Sequence, residues 1–243
     1  MTAIELKGLR KVYRDVTAVD GIDLTVEQGE LFALLGVNGA GKSTVIRMLT
    51  TLTPPTKGDA LVLGHSIVRE PARVRECIDV SMQQTAVARH LTVRENIDFY
   101  ARLLGQDKGQ RAATRQRLYD LFGLGEVADR RAGRLSGGWQ RKLSIALSLV
   151  SEPPVLFLDE PTLGLDVLAR RELWRTIESL KGRQTVILTT HYMEEAEALA
   201  DRIGILKSGR LLFVGDKQTL LAQTGSASVE DAFIRVVEGG AAL

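Results

Sequence analysis

Cysteine is nearly missing. Cys77 is the single thiol in 243 residues, so no disulfide can close within the chain, and the usage fits a reducing compartment. It opens the run Cys77-Ile78-Asp79-Val80, where a buried structural thiol is expected rather than a reactive one. Long apolar runs are missing as well: none approaches the roughly 20 residues that span a bilayer, so work at a membrane requires another chain to hold this one there. The opening Met1-Thr2-Ala3-Ile4-Glu5-Leu6 lacks the basic start and apolar stretch of a signal peptide. Excess charge of one sign is also absent. Thirty-two Lys and Arg against 30 Asp and Glu leave +2, which argues against general nucleic-acid binding. No internal repeat, low-complexity tract or flexible linker interrupts the chain, which therefore reads as one domain with a subdomain. What is present, 44% hydrophobic and 26% charged residues, is the ordinary make-up of a soluble globular protein, and 243 residues suffice for one large α/β domain or two small ones.

The stretch that organises the rest is Gly36-Val37-Asn38-Gly39-Ala40-Gly41-Lys42-Ser43-Thr44. It follows the apolar run Leu31-Phe32-Ala33-Leu34-Leu35, a buried strand, and leads into Val45-Ile46-Arg47-Met48-Leu49, the first turns of a helix. Strand, glycine-rich turn and helix form the context a G-x-x-x-x-G-K-[ST] phosphate loop requires. The glycines let successive N–H groups converge on one anion, and the helix N-terminus adds a favourable dipole. Lys42 reaches the β- and γ-phosphates, and the Ser43 hydroxyl is placed to ligate Mg²⁺. The chain therefore reads as a nucleoside triphosphate binder. The two asparagines, Asn38 and Asn96, are followed by Gly39 and Ile97, so the Asn-Lys-x-Asp reader of guanine is absent.

Ahead of the loop, residues 4–13 and 18–27 alternate apolar and polar and predict two antiparallel strands. Tyr13 ends the first, where an aromatic serves either the core or a stacked base. Pro54 to Asp59 is a turn, and Ala60–Gly64 and Cys77–Met82 are further strands. From about Thr92 to Val150 the pattern turns helical. Thr92 and Glu95 form a capping box; residues 110–122 give a second helix whose Arg111, Arg115 and Arg117 read as a solvated face; Ser136-Gly137-Gly138 opens a third. Strands return at Val155–Leu158 and Thr185–Leu188. A helical insert within a strand–helix alternation is the simplest description, with the insert at about 86–152. Residues 237–243 read as a flexible tail.

Val155-Leu156-Phe157-Leu158-Asp159-Glu160 ends a strand in two carboxylates. In a parallel sheet that end lies beside the phosphate loop. Asp159 can then assist Mg²⁺ through water, leaving Glu160 free to take a proton from an attacking water or to orient it. His191 ends the next apolar strand and, on the same sheet edge, points to a γ-phosphate contact. Gln83 closes another strand, where its amide meets the metal or the water. Ser136-Gly137-Gly138 is a second anion cradle on a separate subdomain, and implies a site completed by another copy of the protein.

Taken together these motifs resemble the ATP-binding cassette (ABC) ATPases. Leu135-Ser136-Gly137-Gly138-Trp139-Gln140 is similar to that family's signature, upstream of Leu158-Asp159-Glu160-Pro161 as the family has it. The resemblance runs from Ile4 to about Val236. It implies a P-loop NTPase (RecA-like) core with an antiparallel β-subdomain and a helical insertion subdomain, the nucleotide-binding domain spanning residues 1–236. It gives Tyr13 the adenine-stacking role, Asn38, Gly39, Ala40, Gly41, Lys42, Ser43 and Thr44 the Walker A contacts, and Ser136, Gly137 and Gly138 those of the signature. Gln83 matches the Q-loop, Asp159 the Walker B aspartate, Glu160 the catalytic glutamate, Gly164-Leu165-Asp166 the D-loop and His191 the switch histidine. We count Val19 with the nucleotide-binding residues, Gln83 and His191 with the catalytic ones, and Ser43, Gln83 and Asp159 as the metal set.

Leu91–Asn96, Thr190–Glu197 and Val229–Phe233 narrow the resemblance to ABC-2-type exporter subunits. The function implied is ATP-driven dimerisation powering export of a small molecule or drug. The implied partners are a second copy and an ABC-2-type permease, with ATP and Mg²⁺ bound, at the cytoplasmic face of the membrane and with no nucleic acid. The competing reading, a soluble cassette acting on nucleic acid or ribosomes, lacks the long coiled coil or second cassette of those proteins. Two departures stand out: Trp139 replaces the usual glutamine, which puts the packing around the composite site in doubt, and Gly164 stands where serine or alanine is common.

Overall fold

A strand apolar at every position has to be covered on both faces, and that requirement arranges this molecule. The computed structural model describes residues 1–239. Strands β1 (Thr2–Tyr13) and β2 (Val16–Glu27) pair antiparallel, and β3 (Leu31–Leu35) runs into the glycine-rich loop and α1 (Lys42–Leu49). β4 (Lys57–Val62) and β5 (His65–Ser66) complete a four-stranded antiparallel sheet, ordered β2-β1-β4-β5. The chain continues through α2 (Pro71–Cys77) and β6 (Ile78–Ser81) into a helical insertion of α3 (Val93–Leu103), α4 (Lys108–Phe122) and α5 (Gly137–Ser148). Then follow β7 (Val155–Asp159), α6 (Val167–Glu178), β8 (Thr185–Thr190), α7 (Met193–Leu199), β9 (Arg202–Lys207), β10 (Arg210–Gly215), α8 (Lys217–Thr224) and α9 (Val229–Gly239).

The second sheet has six strands in the order β10-β9-β3-β8-β7-β6, all parallel except β10, which returns antiparallel along β9. Its central strands divide their side chains between two cores by alternation. From β3, Leu31, Ala33 and Leu35 pack with the helices, while Phe32 and Leu34 pack toward α1 and the antiparallel sheet. Leu156 and Leu158 of β7 follow the first set, Val155 and Phe157 the second. The α/β class with its antiparallel and helical subdomains is thus as the sequence indicates.

Register then fixes the site. Leu35 pairs Thr190, and Asp159 pairs Thr189, so β3, β7 and β8 end almost level. The residues that follow, Gly36, Glu160 and His191, emerge on one edge.

Four local expectations need correcting. Cys77 ends α2 rather than opening β6 and is only partly buried, because Pro71 starts a helix that consumes it. Arg111, Arg115 and Arg117 are not a free solvated face. Arg115 pairs with Asp98 at 2.6 Å, Arg117 donates to the carbonyl of Leu149 and pairs with Glu152, and Arg111 donates to the carbonyl of Gln106. The Arg115 and Arg117 contacts lie far apart in sequence and escape a reading of helical faces. Residues 237–239 belong to α9, whose Val236 is buried and whose Val237 carbonyl accepts from Lys207 Nζ; residues 240–243 lie outside the described residues. Gln83 lies two positions past the end of β6 rather than closing it.

Candidate functional site

The first turn of α1 is built by backbone need. Gly41, its N-cap, has φ +113°, and a Cβ there would press on the carbonyl oxygen of Ala18. Only glycine lets the loop fold so tightly that Lys42 and Ser43 begin the helix with their N–H groups free of intrahelical partners. Asn38 and Gly39 form an exposed rim, while Ala40 and Lys42 are buried. The loop bounds a cavity of about 680 Å³ whose wall also carries Ser43, Thr44, Gln83, Glu160 and His191.

Asp159 and Glu160 do not end the strand in solvent: they are 2% and 7% exposed. Asp159 Oδ1 accepts from the Thr189 hydroxyl at 2.6 Å and the Ser43 hydroxyl at 3.1 Å. Glu160 is not free, as the sequence implied. Its Oε1 lies 3.2 Å from Lys42 Nζ and its Oε2 2.5 Å from His191 Nδ1. The same ammonium donates to the carbonyls of Gly36 at 2.7 Å and Val37 at 3.3 Å. Glu160 also holds φ +50°, left-handed backbone that a non-glycine residue adopts only when its surroundings impose it. Its N–H donates to Thr189, to both the carbonyl and the hydroxyl oxygen, at 3.1 Å each. The His191 ring in turn packs at a tilt against Tyr192, centroids 4.1 Å apart, and the Arg170 guanidinium lies over the Tyr192 ring at 4.4 Å.

For a metal, Ser43 and Asp159 offer hard oxygen donors 3.1 Å apart, with Gln83 on the same wall. Among the described residues no three His, Cys, Asp or Glu side chains converge. That donor set fits a cation that keeps most of its shell for water and phosphate oxygens, as Mg²⁺ does.

Other expected residues lie elsewhere. Ser136, Gly137 and Gly138 form the N-terminus of α5, do not line the cavity, and leave Ser136 exposed with its hydroxyl making no cap bond. Asp166 caps α6 instead, accepting from the N–H groups of Leu168 and Ala169. Tyr13 is 41% exposed, outside the cavity wall but paired across the sheet with Val16, which is on it. Val19 requires correction: it is fully buried in the core under the antiparallel sheet, so its side chain reaches no ligand. The strand touches the cavity just earlier, through Val16, Thr17 and Ala18. Those residues, Leu163 and the β9–β10 turn at Ser208 and Gly209 escape the sequence reading. Gly209 braces the loop by donating its N–H to the Ala40 carbonyl at 2.8 Å, a contact that Ser-Gly turn chemistry alone does not locate. Within the chain, the Trp139 ring packs against the helical core with Lys142 Nζ 4.6 Å above it. Gly164 has φ +76°, so the position favours glycine for conformation rather than for lack of room.

Comparison with known proteins agrees with this geometry. Residues 19–163 match the family described as ABC transporter. The chain is 45% identical over 225 residues to the daunorubicin/doxorubicin resistance ATP-binding protein DrrA of Streptomyces peucetius, covering 92% of this chain and 68% of that one. It is 41% identical to the daunorubicin resistance ATP-binding protein DrrA3 of Streptomyces coeruleorubidus, over 100% of this chain and 77% of the other. Among solved structures, the ATP-binding subunit of an ABC transporter superposes with a TM-score of 0.85 at 27% identity, covering 96% of this chain and 99% of that chain.

Proposed function

The chain belongs to the ABC transporter family, and from that premise we propose that it is the ATP-hydrolysing subunit of an exporter that moves a small molecule or drug across the cytoplasmic membrane. In this reading two copies close head to tail around two nucleotides. An ABC-2-type permease holds them at the cytoplasmic face, with its coupling helix in the groove near Gln83 and the helical insertion. The observation that carries it is the split between the two anion cradles. The phosphate loop, Glu160, His191 and Gln83 share one cavity, while the exposed helix end at Ser136 lies outside it. A helix N-terminus with its hydroxyl unspent is a phosphate site waiting for a ligand held by another surface. The drug resistance for which both DrrA relatives are named favours drug-like cargo.

In the mechanism we infer, Lys42 is shared between Glu160 and two loop carbonyls, and a γ-phosphate oxygen competes for the same ammonium. Nucleotide binding therefore releases Glu160 from Lys42, and its carboxylate becomes available to take the proton of an attacking water. His191, hydrogen-bonded to Glu160, keeps that carboxylate aimed. Ser43, Asp159 and Gln83 would hold Mg²⁺, which supplies charge neutralisation on the phosphates. Tyr13, at the rim beside Val16, offers a face for adenine. Asp166, at the start of α6, and Ser136 to Gly138 act toward the second copy. The test is ATP turnover by the purified chain with and without its co-purifying membrane partner. Hydrolysis stimulated by that partner and by an anthracycline-like cargo is expected; absence of ATP hydrolysis in both preparations overturns the reading.

A further inference from the structure

One buried cation is not used by this mechanism. Arg141 sits one turn inside α5 and is 3% exposed. An aliphatic side chain would fill such a place without the cost of taking a charge out of water, so its hydrogen bonds have to account for it. Among the described residues no carboxylate forms an ion pair with it; its bonds go to main-chain carbonyls of other segments. Nη2 donates to the carbonyl of Asp159 at 2.9 Å and Nε to that of Pro161 at 2.6 Å. Nη1 donates to the carbonyls of Met82 at 2.7 Å and Gln83 at 3.2 Å. The guanidinium thus grips the residues on either side of Glu160, the very position whose backbone is held at φ +50°, together with the segment that carries Gln83. Its planar fork suits several acceptors at fixed angles in a way a lysine ammonium does not. Burial lowers its pKa to about 10, which leaves it charged at neutral pH.

We propose that Arg141 is a positioning residue for hydrolysis, locking the Asp159–Pro161 segment and the Gln83 backbone to the helix whose N-terminus is Ser136-Gly137-Gly138. The idea rests on the role given to Glu160 above and extends it. Arg141 lies four positions after Gly137, a rise of about 6 Å. A displacement of that helix end on meeting a second copy is therefore carried straight to the peptide groups that aim Glu160. Arg141 itself does not line the cavity.

The experiment compares Arg141→Lys, Arg141→Gln and Glu160→Gln with the wild-type full chain, measuring kcat for MgATP, Kd for a fluorescent ATP analogue and Tm. Misplacing a catalytic group by about 1 Å costs on the order of a hundredfold in rate. Arg141→Gln should therefore lose roughly 30- to 100-fold in kcat while Kd changes less than about threefold. Arg141→Lys, with charge but no fork, should recover only part of the rate. If Arg141→Gln does not fold, Arg141→Lys decides, by a fall in kcat at unchanged Kd. Wild-type kcat in the folded variants, or a loss of Kd as large as the loss of kcat, overturns the inference. Full turnover by Glu160→Gln would instead remove the assignment of Glu160, whatever Arg141 does.

Discussion

Glu160 is where the constraints on single residues converge: a left-handed backbone, a buried carboxylate, and an ammonium and an imidazole on its two oxygens. Glu160→Gln keeps the size and most hydrogen bonds but removes the basic lone pair. It should retain nucleotide binding and lose at least about 100-fold in turnover, the usual worth of a general base. Steady-state phosphate release beside a binding titration checks this. Lys42→Ala removes an ammonium that makes three close contacts. It should weaken ATP binding by about ten- to hundredfold, matching the roughly 1.5–3 kcal/mol of a hydrogen bond to a charged group. Unchanged affinity would undercut the phosphate-loop assignment. Trp139→Gln restores the common signature residue. Because the ring packs on the helical core rather than on the cavity, its hydrolysis rate should change less than about tenfold, equivalent to roughly 1.4 kcal/mol of barrier.

Among the elements, legibility followed the range of the interactions. The capping box of α3 was readable because it is local: Glu95 N–H donates to the Thr92 hydroxyl and Thr92 N–H to the Glu95 carboxylate. β3, β7 and β8 were readable because a strand covered on both faces carries an unbroken apolar run, here Leu31–Leu35, Val155–Leu158 and Val186–Leu188. The starts of α8 and α9 are capped locally by Asp216 and Ser228, but where those helices dock, and the antiparallel return of β10 along β9, depend on side chains contributed from distant segments. The carbonyl grip of Arg141 is set by distant segments in the same way, and so is the burial of Val19, which packs into the core under the antiparallel sheet while Val16, Thr17 and Ala18 before it line the cavity. β6 carries a pH signature. Partial burial raises the pKa of Asp79 from 3.8 to about 6, against the bonds from Val80 N–H and the Ser151 hydroxyl. The folded state therefore holds this proton more tightly than the unfolded chain. Stability from it is complete below pH 3.8 and is lost as pH rises through about 6. Asp79→Asn should accordingly raise Tm at pH 7–8, by a change on the order of 1–3 kcal/mol in stability. That gain should vanish near pH 4; a gain independent of pH would refute the cause given.

At the scale of the molecule, the phosphate loop and the helix end at Ser136 do not meet within the chain, since Ser136 lies outside the cavity that the loop bounds. In the proposed head-to-tail pair, Ser136 and the exposed Val167 and Leu168 at the start of α6 face the second copy. A triphosphate that contacts both halves favours the closed pair by its difference in affinity for the closed and open states. Glu160→Gln, by blocking turnover, should hold that pair together. Light scattering of the Glu160→Gln chain measures it directly. The mass should stand at 26.6 kDa without nucleotide and double with saturating MgATP. The same chain carrying Ser136→Arg in addition should stay at the smaller mass. A Glu160→Gln chain that remains monomeric in saturating MgATP, while the wild type hydrolyses it, would contradict the account.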